Sequence, residues 1–189
     1  MKVRPGGLIL IVALVPADAL RAWAPAPSEA PAAAPCTASE HRQFDFWIGD
    51  WEVRTPPGQV AGHNRIESIL KGCAIHESWT GAGGMKGQSL NTYDPADRRW
   101  HQLWVDESGT VLHLAGVFKD GRMVLEGSLP SGQKPGPPIR QRITWERQAD
   151  ARVRQVWEAS EDGTTWSVVF DGFYSRVTTG ETAPPNARP

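Results

Sequence analysis

Trp100-His-Gln-Leu-Trp-Val-Asp106, the triplet Glu107-Ser-Gly109 and then Thr110-Val-Leu-His-Leu-Ala-Gly-Val-Phe118 decide the fold. Apolar and polar residues alternate in short bursts, and a period of two puts successive side chains on opposite faces of a strand. The triplet between them is a hairpin turn. The same pattern runs outward in both directions. It predicts strands over 50–55, 60–70, 73–80, 86–93, 99–106, 110–118, 122–128, 139–147, 152–160 and 165–176. Turn residues separate them: Pro56-Pro-Gly58, Gly81-Ala-Gly-Gly84, Asp94-Pro-Ala-Asp97, Lys119-Asp-Gly121 and Glu161-Asp-Gly163, with a Gly/Pro-rich loop over 129–138. Phe44 to Ile48 reads as a short turn or 3₁₀ plug. No segment carries a sustained 3.6-residue apolar stripe, so no long helix is expected. Ten strands joined by short connections form an up-and-down antiparallel meander. Closure into a barrel removes both edges, and such a barrel leaves room for one small ligand. The expected fold is therefore all-β, a closed antiparallel barrel of about ten strands over 44–177. A two-sheet sandwich is the alternative.

The chain has 189 residues and a formal net charge of -1, with its arginines scattered among carboxylates. That charge gives no electrostatic case for nucleic acid or an anionic membrane. The motifs that would mark a serine-hydrolase elbow, a phosphate loop or a dinucleotide site are missing. His41, His63, His76, His101 and His113 stand in no zinc spacing. His101 and His113, on adjacent strands, are the nearest approach to a ligand pair, but two histidines alone make a poor metal site. No cofactor and no metal is expected.

The ends differ from the middle. Met1-Lys-Val-Arg4, the apolar run Leu8-Ile-Leu-Ile-Val-Ala-Leu-Val15 and the small-x-small triplet Ala17-Asp-Ala19 read as a signal peptide over 1–19. The apolar run is too short to span a bilayer. Residues 20–43 are rich in Pro and Ala and read as a linker, and 178–189 as a disordered tail. The mature chain is expected in the periplasm or outside the cell. Its two cysteines, Cys36 and Cys73, would then form one disulfide.

Phe44-Asp-Phe-Trp-Ile-Gly-Asp-Trp-Glu-Val53 resembles the opening of a family of secreted bacterial proteins described as a domain of unknown function. Gly72-Cys-Ala-Ile-His-Glu-Ser-Trp79, Gly87-Gln-Ser-Leu-Asn-Thr-Tyr-Asp94, Trp100-His-Gln-Leu-Trp-Val-Asp106 and Ser160-Glu-Asp-Gly-Thr-Thr-Trp166 extend the resemblance over the domain. That family is similar to lipocalin-like and nitrobindin-like barrels, in which a Trp after an N-terminal turn plugs one end. The resemblance implies such a role for Trp47 or Trp51. It implies no catalytic residue.

The strand faces suggest the site. Of nine tryptophans, seven are spaced along the strands. Glu77 and Trp79 share one face, as do Ser89, Asn91 and Tyr93, and as do Trp100, Gln102, Trp104 and Asp106. Mixtures of indole and polar groups line interiors that hold ligand. Arg142 and Arg154 are the expected partners of Glu77, because a buried carboxylate needs one. The alternative is that this face meets water and Leu103, Val105, Leu112 and Leu114 form the core. Three functions remain open. The first is an exported barrel binding a hydrophobic or aromatic small molecule. The second is a cofactor-independent cyclase, isomerase or hydrolase using Glu77 or Asp106 as general acid or base. The third is a structural or interaction module of the cell envelope.

Overall fold

The computed structural model describes residues 35–131 and 136–177. The expected signal peptide, most of the linker and the tail lie outside the described residues. Ten antiparallel strands close into a barrel in which each pairs with its sequence neighbours and the last pairs with the first. They are β1 (Gly49–Arg54), β2 (Val60–Ile69), β3 (Ala74–Gly81), β4 (Lys86–Asp94), β5 (Arg99–Asp106), β6 (Val111–Lys119), β7 (Arg122–Leu129), β8 (Ile139–Arg147), β9 (Val153–Ser160) and β10 (Ser167–Arg176). Observed and expected strand ends differ by two residues at most. Two irregularities interrupt the pairing: a register shift between Val53 and Arg54 of β1, and a bulge in β10 between Val168 and Phe170, which leaves both Val168 and Val169 exposed.

Closure is made by β1 against β10, with Trp51 opposite Arg176 and Arg54 opposite Phe173. The expected plug is present as a 3₁₀ turn, Asp45–Trp47. Phe44 and Trp47 are fully buried, stacked with ring centroids 4.8 Å apart. Trp145 lies 5.3 Å from Trp47, and Trp100 meets Phe44 edge-on at 5.6 Å. Trp51 is also buried, and its indole N–H donates to the Trp47 carbonyl at 2.8 Å. Aromatic pairs of this kind add about 0.5–1.5 kcal/mol each beyond the area they bury.

The described domain includes residues from the end of the stretch expected as linker. A second 3₁₀ turn, Ser39–Arg42, belongs to the domain, and its buried His41 meets Tyr93 edge-on at 5.3 Å. Cys36 is bonded to Cys73, immediately before β3, with Cα atoms 5.0 Å apart. The disulfide thus pins the chain entering the plug to the barrel wall. Among the described residues no helix is long and apolar enough to cross a membrane.

Candidate functional site

Glu77 is the only buried carboxyl among the described residues, at 5% exposure. Alternation turns it inward from the middle of β3, opposite Ser89 of β4. Ser89 Oγ donates to Glu77 Oε2 at 2.5 Å, and Asn64 Nδ2 of β2 donates to Oε1 at 2.7 Å. Behind Ser89 stands a relay: Asn91 Nδ2 donates to Ser89 Oγ at 2.9 Å, and Gln102 Nε2 donates to Asn91 Oδ1 at 2.8 Å. On the other side the Tyr174 hydroxyl donates to Gln155 Oε1 and accepts from Asn64 at 3.5 Å. Asn64 Oδ1 is buried and has no hydrogen-bond partner among the described residues. Such a directed polar chain in a low-dielectric interior is costly unless satisfied, so it fixes the rotamers of its members.

Burial pushes the Glu77 carboxyl above its usual range, and the donations from Ser89 and Asn64 only partly oppose this. Burial likewise raises the Tyr174 phenol, and the nearby Glu77 charge raises it further. The arginines expected beside Glu77 are elsewhere. Arg142 and Arg154 occupy outward positions of β8 and β9, where Arg142 pairs with Glu158 at 3.0 Å and Arg154 with Asp171 at 2.7 Å. The physical reason is parity: Gln141, Ile143, Val153 and Gln155 take the inward places, so the residues between them face water. A guanidinium keeps its hydration there, whereas inside it would lose it.

One step from Glu77 toward the open end lies a ring of half-buried aromatics. Trp79 and Phe170 meet edge-on at 6.2 Å. The Trp157 indole donates to Gln141 Oε1 at 2.7 Å, and that of Trp104 to Asp106 Oδ2 at 3.1 Å. Two glycines make room for the indoles. A Cβ on Gly62 would come within 2.7 Å of the Trp79 ring, and one on Gly87 would collide with the Trp104 ring. Both indoles therefore lie across a neighbouring strand's bare backbone.

The structure brings Glu77, Ser89, Asn91 and Gln102 together as one buried network, with Trp79 and Trp104 at its mouth. Tyr93 points inward too, but at the plugged end, where it packs on Trp100 at 6.2 Å. Leu112 and Leu114 lie inside with Gln102 and Trp104, while Leu103 and Val105 are outside at 40% and 42% exposure. Asp106 is committed to a turn. Although its partial burial opposes this, bonds from Ser108, Trp104 and Thr110 hold its pKa low. It orients Trp104 and has little capacity left for proton transfer.

Sequence reasoning missed Asn64, Gln155, Trp157, Phe170 and Tyr174. Their signal was the same alternation: Gln155 and Trp157 share one parity, as do Phe170 and Tyr174. His101 and His113 are not cross-strand neighbours, for His101 faces Ala115 and His113 faces Leu103. The motif Ser160-Glu-Asp-Gly-Thr-Thr-Trp166 is a turn: Asp162 Oδ1 accepts from the Thr164 and Thr165 amides at 2.7 Å. Trp166 then lies under Arg142, 4.0 Å from its ring centroid, on the outer surface.

Compared with known proteins, the sequence matches no family model and no curated protein. The fold and site define an all-β barrel with an aromatic mouth over a buried carboxyl.

Proposed function

We propose that the chain is an exported barrel that binds a hydrophobic or aromatic small molecule at the mouth formed by Trp79, Trp104, Trp157 and Phe170. The polar end of the ligand is directed toward Glu77 and its network. The observation that carries this reading is the packing of Trp79 and Trp104 across Gly62 and Gly87. Indoles packed against bare backbone and still partly exposed are open to whatever enters, and such rings are the usual anchors of apolar ligands. Glu77, Ser89 and Asn64 together offer polar partners to a ligand carbonyl or hydroxyl. The disulfide supports export, since such bonds persist in oxidising compartments. The lipocalin-like resemblance is part of this proposal.

A second reading is supported by Glu77 itself. A carboxyl raised by burial, against the opposing donations from Ser89 and Asn64 and the charge of nearby His76, is the kind of group enzymes use as a general acid. On that reading the chain is a cofactor-independent cyclase, isomerase or hydrolase, with Glu77 transferring the proton.

Native mass spectrometry of protein purified from its own exported compartment tests the binding reading. The expected result is a co-purifying small molecule whose occupancy drops in Trp104→Ala. An adduct retained equally by Trp104→Ala would remove the mouth from consideration.

A further inference from the structure

A depression of the described surface lies away from the tryptophan mouth. It lies at the plugged end, a groove of about 510 Å³ bordered by Arg42, Asp45, Phe46, Phe118, Arg147 and Arg176. Its floor is aromatic: Phe46 of the plug and Phe118 of β6 sit with ring centroids 6.1 Å apart. Three guanidinium groups border it against one carboxyl.

The three arginines are not equivalent. Arg42 is engaged by the Gly72 carbonyl and by Asp45 at 3.5 Å. Arg176 donates to the Ile48 carbonyl at 3.0 Å and stacks on Trp51 at 4.5 Å, which fixes its position. Arg147, the last residue of β8, has no side-chain hydrogen bond or ion pair among the described residues. The wall beside it is held by the β8–β9 turn, closed by the Gln148 amide on the Arg152 carbonyl at 2.8 Å. Ala151 takes a left-handed φ of 66° there. The groove thus joins an apolar floor to an excess of positive charge with unspent donors. Its volume falls in the range of small-ligand sites, about 300–1,000 Å³.

We propose that this groove binds an organic carboxylate with an apolar body, its carboxylate on Arg147 and Arg176 and its apolar body on Phe46 and Phe118. A guanidinium presents paired N–H donors that match a carboxylate, so an anion with a planar head is favoured over a point charge. Asp45 is paired with Arg42 at 3.5 Å, which partly offsets its charge against the anion. Occupancy has an internal reporter. Phe46 packs on Phe44 at 5.6 Å, and Phe44 stacks on the buried Trp47. This site is separate from the mouth and does not depend on the function proposed there.

The test is calorimetric titration of the full-length protein with 3-phenylpropanoate, its uncharged amide 3-phenylpropanamide, and sodium phosphate. The carboxylate is expected to bind about tenfold more tightly than the amide, the scale of one charge-assisted hydrogen bond. Arg147→Gln should weaken the carboxylate by a similar factor without moving the thermal midpoint, because Arg147 is exposed. Trp104→Ala, at the opposite end, should leave this binding unchanged. No binding of the carboxylate at millimolar concentration, equal binding of the amide, equal binding of phosphate, or an unaffected Arg147→Gln would overturn the proposal. Loss of binding in Trp104→Ala would also overturn it, by moving the ligand to the mouth.

Discussion

Ser89 donates to Glu77 across the β3–β4 pair at 2.5 Å, so the buried carboxyl is held directly by a neutral hydroxyl. This changes how stability should respond to pH. Burial raises the folded pKa of Glu77 above its ordinary value of 4.5, and the unfolded chain retains that ordinary value. The folded state therefore holds the proton more tightly. Its stabilising contribution is complete below the unfolded value and is lost as pH rises through the raised folded one. In Glu77→Gln this loss disappears. Urea midpoints of the two proteins should diverge in favour of the variant as pH rises above the ordinary value of 4.5. Parallel curves would show that Glu77 stays ionised throughout.

The same variant separates the two functional readings. A binding protein should keep most of its affinity in Glu77→Gln, since the amide preserves shape and part of the hydrogen bonding. An enzyme should lose roughly 10²–10⁴-fold in turnover with binding nearly intact. The measurement is paired titration and turnover on the molecule that native mass spectrometry identifies.

At the mouth, Trp104→Ala should weaken that molecule by about 1–3 kcal/mol, the scale of an aromatic anchor. Gly87→Ala should act similarly through geometry alone, because the new Cβ occupies the place of the Trp104 ring. The far end of an indole can swing away, so the barrel should survive. Tryptophan emission should shift to the red as the ring moves toward water. An unchanged spectrum in Gly87→Ala would show that the ring does not lie where described.

Reducing Cys36–Cys73 opens a link spanning 37 residues of sequence. On the loop-entropy account this costs about 4 kcal/mol. The barrel should remain folded, since its core is continuous without the link. Thermal unfolding with and without reductant checks both parts. Loss of near-ultraviolet circular dichroism at room temperature on reduction would contradict the second.

Phe44→Ala should cost about 3–5 kcal/mol, because a fully buried ring that stacks on Trp47 and meets Trp100 and Trp145 leaves a cavity. Denaturant titration measures it. A cost below about 1 kcal/mol would mean that the plug is not part of the cooperative core.

The strand series was legible because alternation and turn residues are local: a period of two and a Gly-containing turn both act within a few residues. Glu77, Ser89 and Gln102 were legible for the same reason, since neighbouring hairpins bring them together. Asn64 and Tyr174 were not. They meet in space at a sequence separation of 110, across the closure of the barrel. Arg142 and Arg154 were misplaced because chemical need, a cation for a buried acid, was weighed above the parity of their own strands.

The sequence alone determined the number of strands, their order and the presence of an aromatic plug, because each follows from short-range periodicity and sterics. It left open which face of β5 is inner, since Gln102 and Trp104 alternate with Leu103 and Val105 and either set is a plausible core. Only the closed barrel decided this. Closure gives Leu112, Leu114, Ile143 and Trp145 the same parity as Gln102 and Trp104, and burying that combined set removes far more apolar surface from water than Leu103 and Val105 would. The polar network is carried inward with them, and its cost is met by hydrogen bonds among strands that no local pattern connects.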